Sequence, residues 1–206
     1  MPGLARQAVT MFKFCPACAS ERIGFHDGKA FRCPDCGFVY YHNIAAATGC
    51  IISVPSGDPV ERLMFLVRGK EPATGKLDLP GGFVDIGEGA IEGLHRELRE
   101  EIGWVPSVPP GGSLADVYTL FASFPNVYPY RGISYNTCDL YFYIRAPGLS
   151  EKSLSLERSE VAAVRFLKPG DIDYDEIAFD STRRAVRAYL SGNHPNMSFS
   201  MSSIVK

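Results

Sequence analysis

The chain has 206 residues, is 46% hydrophobic and 21% charged, and carries a formal net charge of −2. That length fits one ordinary domain plus a small module, and the composition is that of a globular protein. No apolar run approaches the ~18 residues of a membrane helix, residues 1–10 lack the apolar core of a signal peptide, and the near-neutral charge argues against a broad nucleic-acid surface. Those first ten residues are expected to be a disordered leader, with Met11 as an alternative start.

Residues 11–43 read as a module of their own. Cys15-Pro-Ala-Cys18 is followed, after fourteen residues, by Cys33-Pro-Asp-Cys36-Gly37. Two such knuckles suit a Zn²⁺ ion held tetrahedrally by four thiolates, and the Pro and Gly positions suit the tight turns that aim the sulfurs inward. The pattern resembles a zinc ribbon; lost metal or redox thiols are the alternative. A segment this short has too little apolar surface to fold without a staple. His26 and His42 are expected on the surface or in packing, because the cysteine quartet is already complete. Cys50 and Cys138 stand apart. Six cysteines in this arrangement suit metal binding in a reducing cytosol better than a disulfide framework, so a cytoplasmic placement is expected.

From Ile44 the chain turns apolar. The runs 44–54 and 60–69 are β-prone and flank the turn residues PSGDP, which predicts a hairpin with Cys50 as a small buried hydrophobe. Residues 70–79 read as a loop ending in LDLPGG, where Gly81 and Gly82 permit close backbone approach. Asp85 and Glu88 stand just before a helix and suit its N-terminal cap and dipole. In that helix Ile91, Leu94, Leu98 and Ile102 make the apolar stripe. Glu97, Glu100 and Glu101 cluster roughly 130° away on the helical wheel. Three carboxylates this close repel one another unless a hard cation takes up the charge, and Mg²⁺ or Mn²⁺ prefers oxygen ligands. Gly93, one turn earlier on the same face, is expected to leave room for a substrate. The plain alternative is a solvated helix with Arg96 pairing Glu92 and Glu100.

Residues 106–113 read as a loop and 114–124 as a strand. In the aromatic passage 124–144, Pro125, Pro129 and Gly132 are expected to break regular structure before a strand over DLYFYI. Tyr128, Tyr130 and Tyr135 in such a loop could stack on a nucleobase, with Arg131 on phosphate, or simply pack. Cys138 is expected to be inert. Residues 161–167 read as another strand. Residues 181–190 read as a helix with a Ser/Thr start, and 191–206 as a polar tail. Strands alternating with helices give an α/β class.

One stretch carries a specific resemblance. Gly82, Glu88, Arg96, Glu97, Glu100, Glu101 and Gly103, with Leu98, stand at the fixed positions of the Nudix hydrolase signature. Seven such matches arise by chance about once in 10⁸ to 10⁹ placements. Trp104 departs from the aliphatic residue usual at the last position and is large enough to keep its packing. The resemblance implies an α/β/α sandwich with a mixed curved sheet over 44–190, and hydrolysis of a nucleoside diphosphate linked to another moiety. It implies Glu97, Glu100, Glu101 and the Gly82 carbonyl as Mg²⁺ or Mn²⁺ ligands, with Glu100 or Glu101 also orienting water. Arg96 would hold the glutamates, Glu88 would be structural, and an acid outside the signature, Glu160 or then Glu157, would assist. A zinc ribbon ahead of such a domain is similar to the NADH pyrophosphatase group. The SQPWPFP-like motif of that group is absent here, where the chain reads SFPNVYPYRGISY. NADH, ADP-ribose, other dinucleotides, nucleotide sugars and capped RNA ends therefore stay open as substrates. A homodimer is a family expectation, and a non-catalytic nucleotide-sensing or protein-binding module is the alternative reading.

Overall fold

The computed structural model describes residues 12–55, 57 and 60–192. The expected leader lies outside these residues, as does the expected tail beyond 192. The chain divides into two compact units between Ile44 and Ala45.

The first unit is a three-stranded antiparallel sheet of β1 (Gly24–His26), β2 (Ala30–Arg32) and β3 (Val39–Tyr41). Its small core is aromatic. Phe31 is buried, with its ring 4.9 Å from those of Phe12 and Phe25. Each cysteine pair closes the same turn: the Ala19 amide returns to the Cys15 carbonyl, and the Gly37 amide to the Cys33 carbonyl. Both turns need a left-handed residue, which is glycine in the second (φ +76°) and Ala19 (φ +58°) in the first. His42 packs edge-on against Phe25 at 6.1 Å, and His26 is exposed.

The second unit is a six-stranded mixed sheet between two helices. Its strands are β4 (Ala45–Val54), β5 (Arg62–Arg68), β6 (Leu77–Asp78), β7 (Thr119–Tyr130), β8 (Ile133–Arg145) and β9 (Val161–Leu167). The order is β6-β5-β4-β8-β7 with β9 also on β5; only β4 and β8 run parallel. The expected hairpin over 44–69 forms as β4–β5. Strand alternation sends successive residues to opposite faces. Cys50, Ile52, Met64, Leu66 and Phe142 meet Leu94, Leu98 and Ile102 of α1 (Ala90–Ile102). Ile51, Leu63, Phe65 and Tyr141 meet Ala185, Val186 and Tyr189 of α2 (Asp180–Leu190). Both faces are covered, which is why these strands read as continuous apolar runs.

Several local expectations are corrected. The earlier part of the aromatic passage is not a loop: β7 and β8 form one long hairpin turning at Arg131–Gly132, β7 runs through Pro125 and Pro129, and the expected strand over DLYFYI is part of β8. Proline is tolerated because β7 is an edge strand with one unpaired side. Residues 114–116 form a short 3₁₀ turn rather than the start of that strand. The stretch 70–79 includes β6. The residue capping α1 is Gly89, with no side-chain cap; Asp85 and Glu88 instead form a turn in which the Asp85 amide donates to the Glu88 carboxylate at 3.2 Å. Gly93 is buried under that turn, where a Cβ would meet Glu88 and Val84, so its bareness serves packing rather than substrate access. Helix α2 starts after Phe179 with no side-chain cap, and its Ser181 and Thr182 hydroxyls point into the unit instead.

Candidate active site

Strands β4 and β5 pair only over 52–54 and 62–64, then diverge. The loop 80–84 fills the gap like an extra strand. The Thr48 amide donates to the Gly82 carbonyl at 2.8 Å, the Cys50 amide to Pro80 at 2.9 Å, and the Val84 amide to Ala46 at 3.1 Å. Glycine is required here twice. Gly81 has φ +142°, and a Cβ on it would overlap the Thr48 carbonyl; a Cβ on Gly82 would fall 2.5 Å from Glu97 Oε1. The bare loop thus lets the α1 carboxylates lie directly against it. Glu101 Oε2 accepts the Gly81 amide at 2.9 Å.

Arg96 gathers the acids. Its Nε donates to Glu88 Oε1 at 2.9 Å, its Nη1 to Glu97 Oε1 at 2.8 Å and Glu100 Oε2 at 3.0 Å, and its Nη2 to the Phe83 carbonyl at 3.0 Å. These bonds keep Arg96 protonated and hold the Glu88 carboxyl below its usual range. Glu97 and Glu101 go the other way. Burial pushes Glu97 up against the pull of Arg96. Burial, with the charges of Glu97, Asp78 and Glu160 adding to it, holds Glu101 well above the ordinary carboxylate range. Such a cluster invites a dication.

A cavity of about 540 Å³ opens over this loop. Glu97, Glu100, Glu101, Arg96, Gly82, Glu157, Glu160 and Tyr128 all line it. Tyr130, Arg131 and Tyr135 do not: Arg131 sits at the hairpin tip with its guanidinium 5.3 Å from the Tyr130 ring, and Tyr135 packs on Phe83 at 6.3 Å. Glu160 pairs with Lys70 at 2.5 Å, while Glu157 accepts the Ser159 amide and hydroxyl, which keep its carboxyl low. Sequence reasoning passed over Arg68, Lys70, Asp78, Asn126, Asp139, Phe179 and Thr182, which complete the wall. A signal existed for two of them. Asp78 and Asp139 interrupt apolar strands at inward positions, where a charge demands a reason.

Eight lining carboxylates face three lining cations, Arg68, Lys70 and Arg96. A donor set of clustered carboxylates beside a backbone carbonyl fits a hard divalent cation. The Gly82 carbonyl already accepts the Thr48 amide at 2.8 Å and, more weakly, the Thr48 hydroxyl at 3.4 Å, so a further ligand there would displace the hydroxyl. In the first unit the four cysteine sulfurs lie within 4.8 Å of one another, with Cys15–Cys36 at 3.6 Å and Cys18–Cys33 at 3.7 Å. Tetrahedral Zn–S bonds of ~2.3 Å place sulfurs ~3.8 Å apart, so this quartet fits zinc.

The NUDIX domain profile matches residues 44–189. The chain belongs to the Nudix family. An NAD-capped RNA hydrolase, NudC, of Deinococcus radiodurans is 35% identical over 106 residues, half of this chain and 37% of that protein. An ADP-ribose pyrophosphatase of Methanocaldococcus jannaschii is 35% identical over 81 residues, covering 39% of this chain and 43% of that one. The Nudix chain thus spans less than half the length of either curated relative. Among solved structures, a NUDIX hydrolase from Nitrosomonas europaea superposes with a TM-score of 0.54 at 24% identity, covering 87% of this chain and 91% of that one. The NUDIX domain of Shewanella oneidensis NrtR, complexed with ADP ribose, gives 0.55 at 15% identity over 73% and 90%. These likenesses are of fold. No helix among the described residues is long and apolar enough to cross a membrane.

Proposed function

We propose that this Nudix chain hydrolyses the diphosphate bond of a nucleoside diphosphate linked to another moiety, of the ADP-ribose or NADH type, with Mg²⁺ or Mn²⁺. One observation carries it: the three signature glutamates converge on a glycine loop in a carboxylate-rich cavity, Glu97 and Glu100 held by Arg96 and Glu101 by the Gly81 amide. The names of the relatives, an NAD-capped RNA hydrolase and an ADP-ribose pyrophosphatase, both specify an adenosine diphosphate conjugate.

Glu97, Glu100 and Glu101, with the Gly82 carbonyl once the Thr48 hydroxyl turns away from it, would hold the divalent ions. When bound, these ions screen the diphosphate charge and acidify a coordinated water. Arg96 fixes the carboxylate geometry through Glu97 and Glu100 and is itself anchored by Glu88. Glu160, paired with Lys70, would accept a proton from an attacking water. Tyr128 offers a ring face at the cavity wall. Tyr130, Arg131 and Tyr135 are proposed to touch only the part of a substrate that extends outside the cavity. The cysteine quartet would hold a structural Zn²⁺, which accords with a reducing, cytoplasmic setting. A homodimer is the family expectation, checked by sedimentation.

The test is a hydrolysis panel of NADH, NAD, ADP-ribose, FAD, diadenosine polyphosphates, UDP-sugars and nucleoside triphosphates with Mg²⁺ or Mn²⁺. Turnover of a diphosphate conjugate is expected to fall by about 10³-fold or more in Glu100→Gln with the fold intact. No turnover of any compound, with nucleotides still binding, would make the chain a sensor instead.

A further inference from the structure

The α2 side of the cavity holds a charge that the glutamate chemistry does not use. Asp139, on β8, is only 7% exposed and lines the cavity. Its Oδ1 accepts the Thr137 hydroxyl at 2.5 Å and its Oδ2 the Ser181 hydroxyl at 2.6 Å, and no ion pair reaches it among the described residues. A carboxylate offers about four acceptor positions, so two remain open. Burying one without a cation is costly unless donors meet it.

The nearby hydroxyl protons are already committed. The Tyr141 hydroxyl donates to Ser181 Oγ at 3.0 Å, and Ser181 donates its own proton to Asp139. The Thr182 hydroxyl donates to Asp78 Oδ1 at 3.1 Å. The two open acceptor positions of Asp139 are left to water or to a ligand in the cavity. Asn126 lies opposite Thr137 across the β7–β8 pair and lines the same wall, with no hydrogen bond to its side-chain amide among the described residues. The rings of Tyr128 and Phe179, 5.5 Å apart, line the same cavity, with the Arg68 guanidinium 5.0 Å from the Phe179 ring. A flat ring with an N–H on its edge matches this combination of aromatic wall, fixed acceptor and free amide.

The position is also right for a nucleoside. Asp139 pairs with Ala47 on β4, and Ala47 bridges to Phe83, the neighbour of Gly82. Two strand spacings, about 10 Å, therefore separate Asp139 from the glycine loop. That is the reach from a 5′ phosphate to the far edge of its base.

We propose that this wall reads the amino group of an adenine-type base. Asp139 accepts from the exocyclic amine, Asn126 donates to an adjacent ring nitrogen, and Tyr128 and Phe179 cover the ring. The inference rests on the hydrolase reading for its substrate and adds to it the residues that read the base.

The experiment compares ADP-ribose with its purine riboside counterpart, which has hydrogen in place of the 6-amino group. Rates are measured on the full chain with Mg²⁺. Affinities are measured calorimetrically with the uncleavable α,β-methylene diphosphates of adenosine and purine riboside. The amino compounds are expected to lead by about 10- to 100-fold in kcat/KM and in Kd, the worth of one hydrogen bond to a charged acceptor. Asp139→Ala should shrink both gaps to within about threefold, chiefly by weakening the amino compound. If that variant does not fold, Asp139→Asn keeps the shape and should still narrow them, since a neutral oxygen accepts more weakly. Equal kcat/KM for two cleaved substrates overturns the base-reading wall and leaves the hydrolase standing. No cleavage with a tenfold gap in affinity sinks the hydrolase reading and keeps the wall. Equal affinities, or no binding of either analogue, overturn it.

Discussion

Gly81 and Gly82 are adjacent, yet a methyl group on each strikes a different kind of atom. On Gly81 it meets the Thr48 backbone in a left-handed conformation, and nothing there can yield. On Gly82 it meets the tip of the Glu97 side chain, which can swing away. Gly81→Ala is therefore expected to cost about 3 kcal/mol or more of stability in chemical denaturation. Gly82→Ala should unfold near the wild-type midpoint while losing about 100-fold in turnover, because a displaced Glu97 carboxylate would no longer hold the proposed metal geometry. The titrating groups make a second contrast. The Glu101 carboxyl is held well above its ordinary value of 4.5, so the metal-free folded chain binds a proton more tightly than the unfolded chain. Its contribution to stability is present at pH 4.5 and is lost as pH rises through the folded value. Glu88, held below 4.5 by Arg96, contributes in the opposite sense, and its share is lost as pH falls below 4.5. In the presence of chelator, melting temperature should thus pass through a maximum on the acid side of neutrality. Glu101→Gln should flatten the limb above it; an unchanged limb would contradict this account.

At the scale of elements, much was legible because period and burial agree. The stripe Leu94, Leu98 and Ile102 reads helical and is fully buried under the sheet. The apolar runs of β4, β5 and β9 read as strands because both sheet faces are covered. The signature glutamates were legible through their spacing on one helix. What was hidden depends on partners distant in sequence. Pro125 and Pro129 signal a break unless β7 is known to lie at an edge, and edge position is a property of the finished sheet. Ser181 and Thr182 look like helix caps until Asp139 and Asp78 are placed beneath them, 42 and 104 residues away. Asp85 and Glu88 look like a cap until Arg96 claims Glu88. The wall formed by Asn126, Asp139 and Phe179 joins three elements, so no local pattern announces it.

For the whole molecule, the two units are built on different principles. The first has few buried side chains and a quartet of sulfurs at zinc-binding spacing. Protein purified without added zinc is expected to retain about one Zn²⁺ per chain. Stripping it with chelator and a thiol-reactive mercurial should abolish the dispersed amide resonances of residues 12–44 while those of the second unit persist; absence of zinc would contradict the assignment. The second unit makes its glycine loop part of its sheet. Three hydrogen bonds stitch residues 80–84 to β4 where a neighbouring strand would otherwise lie. The loop against which the α1 carboxylates lie therefore cannot swing as a gate without tearing the sheet. The glutamate geometry is therefore expected to last through thermal motion for as long as the fold does. Heat should inactivate such a protein abruptly, at its melting point, rather than by gradual loosening of the active centre.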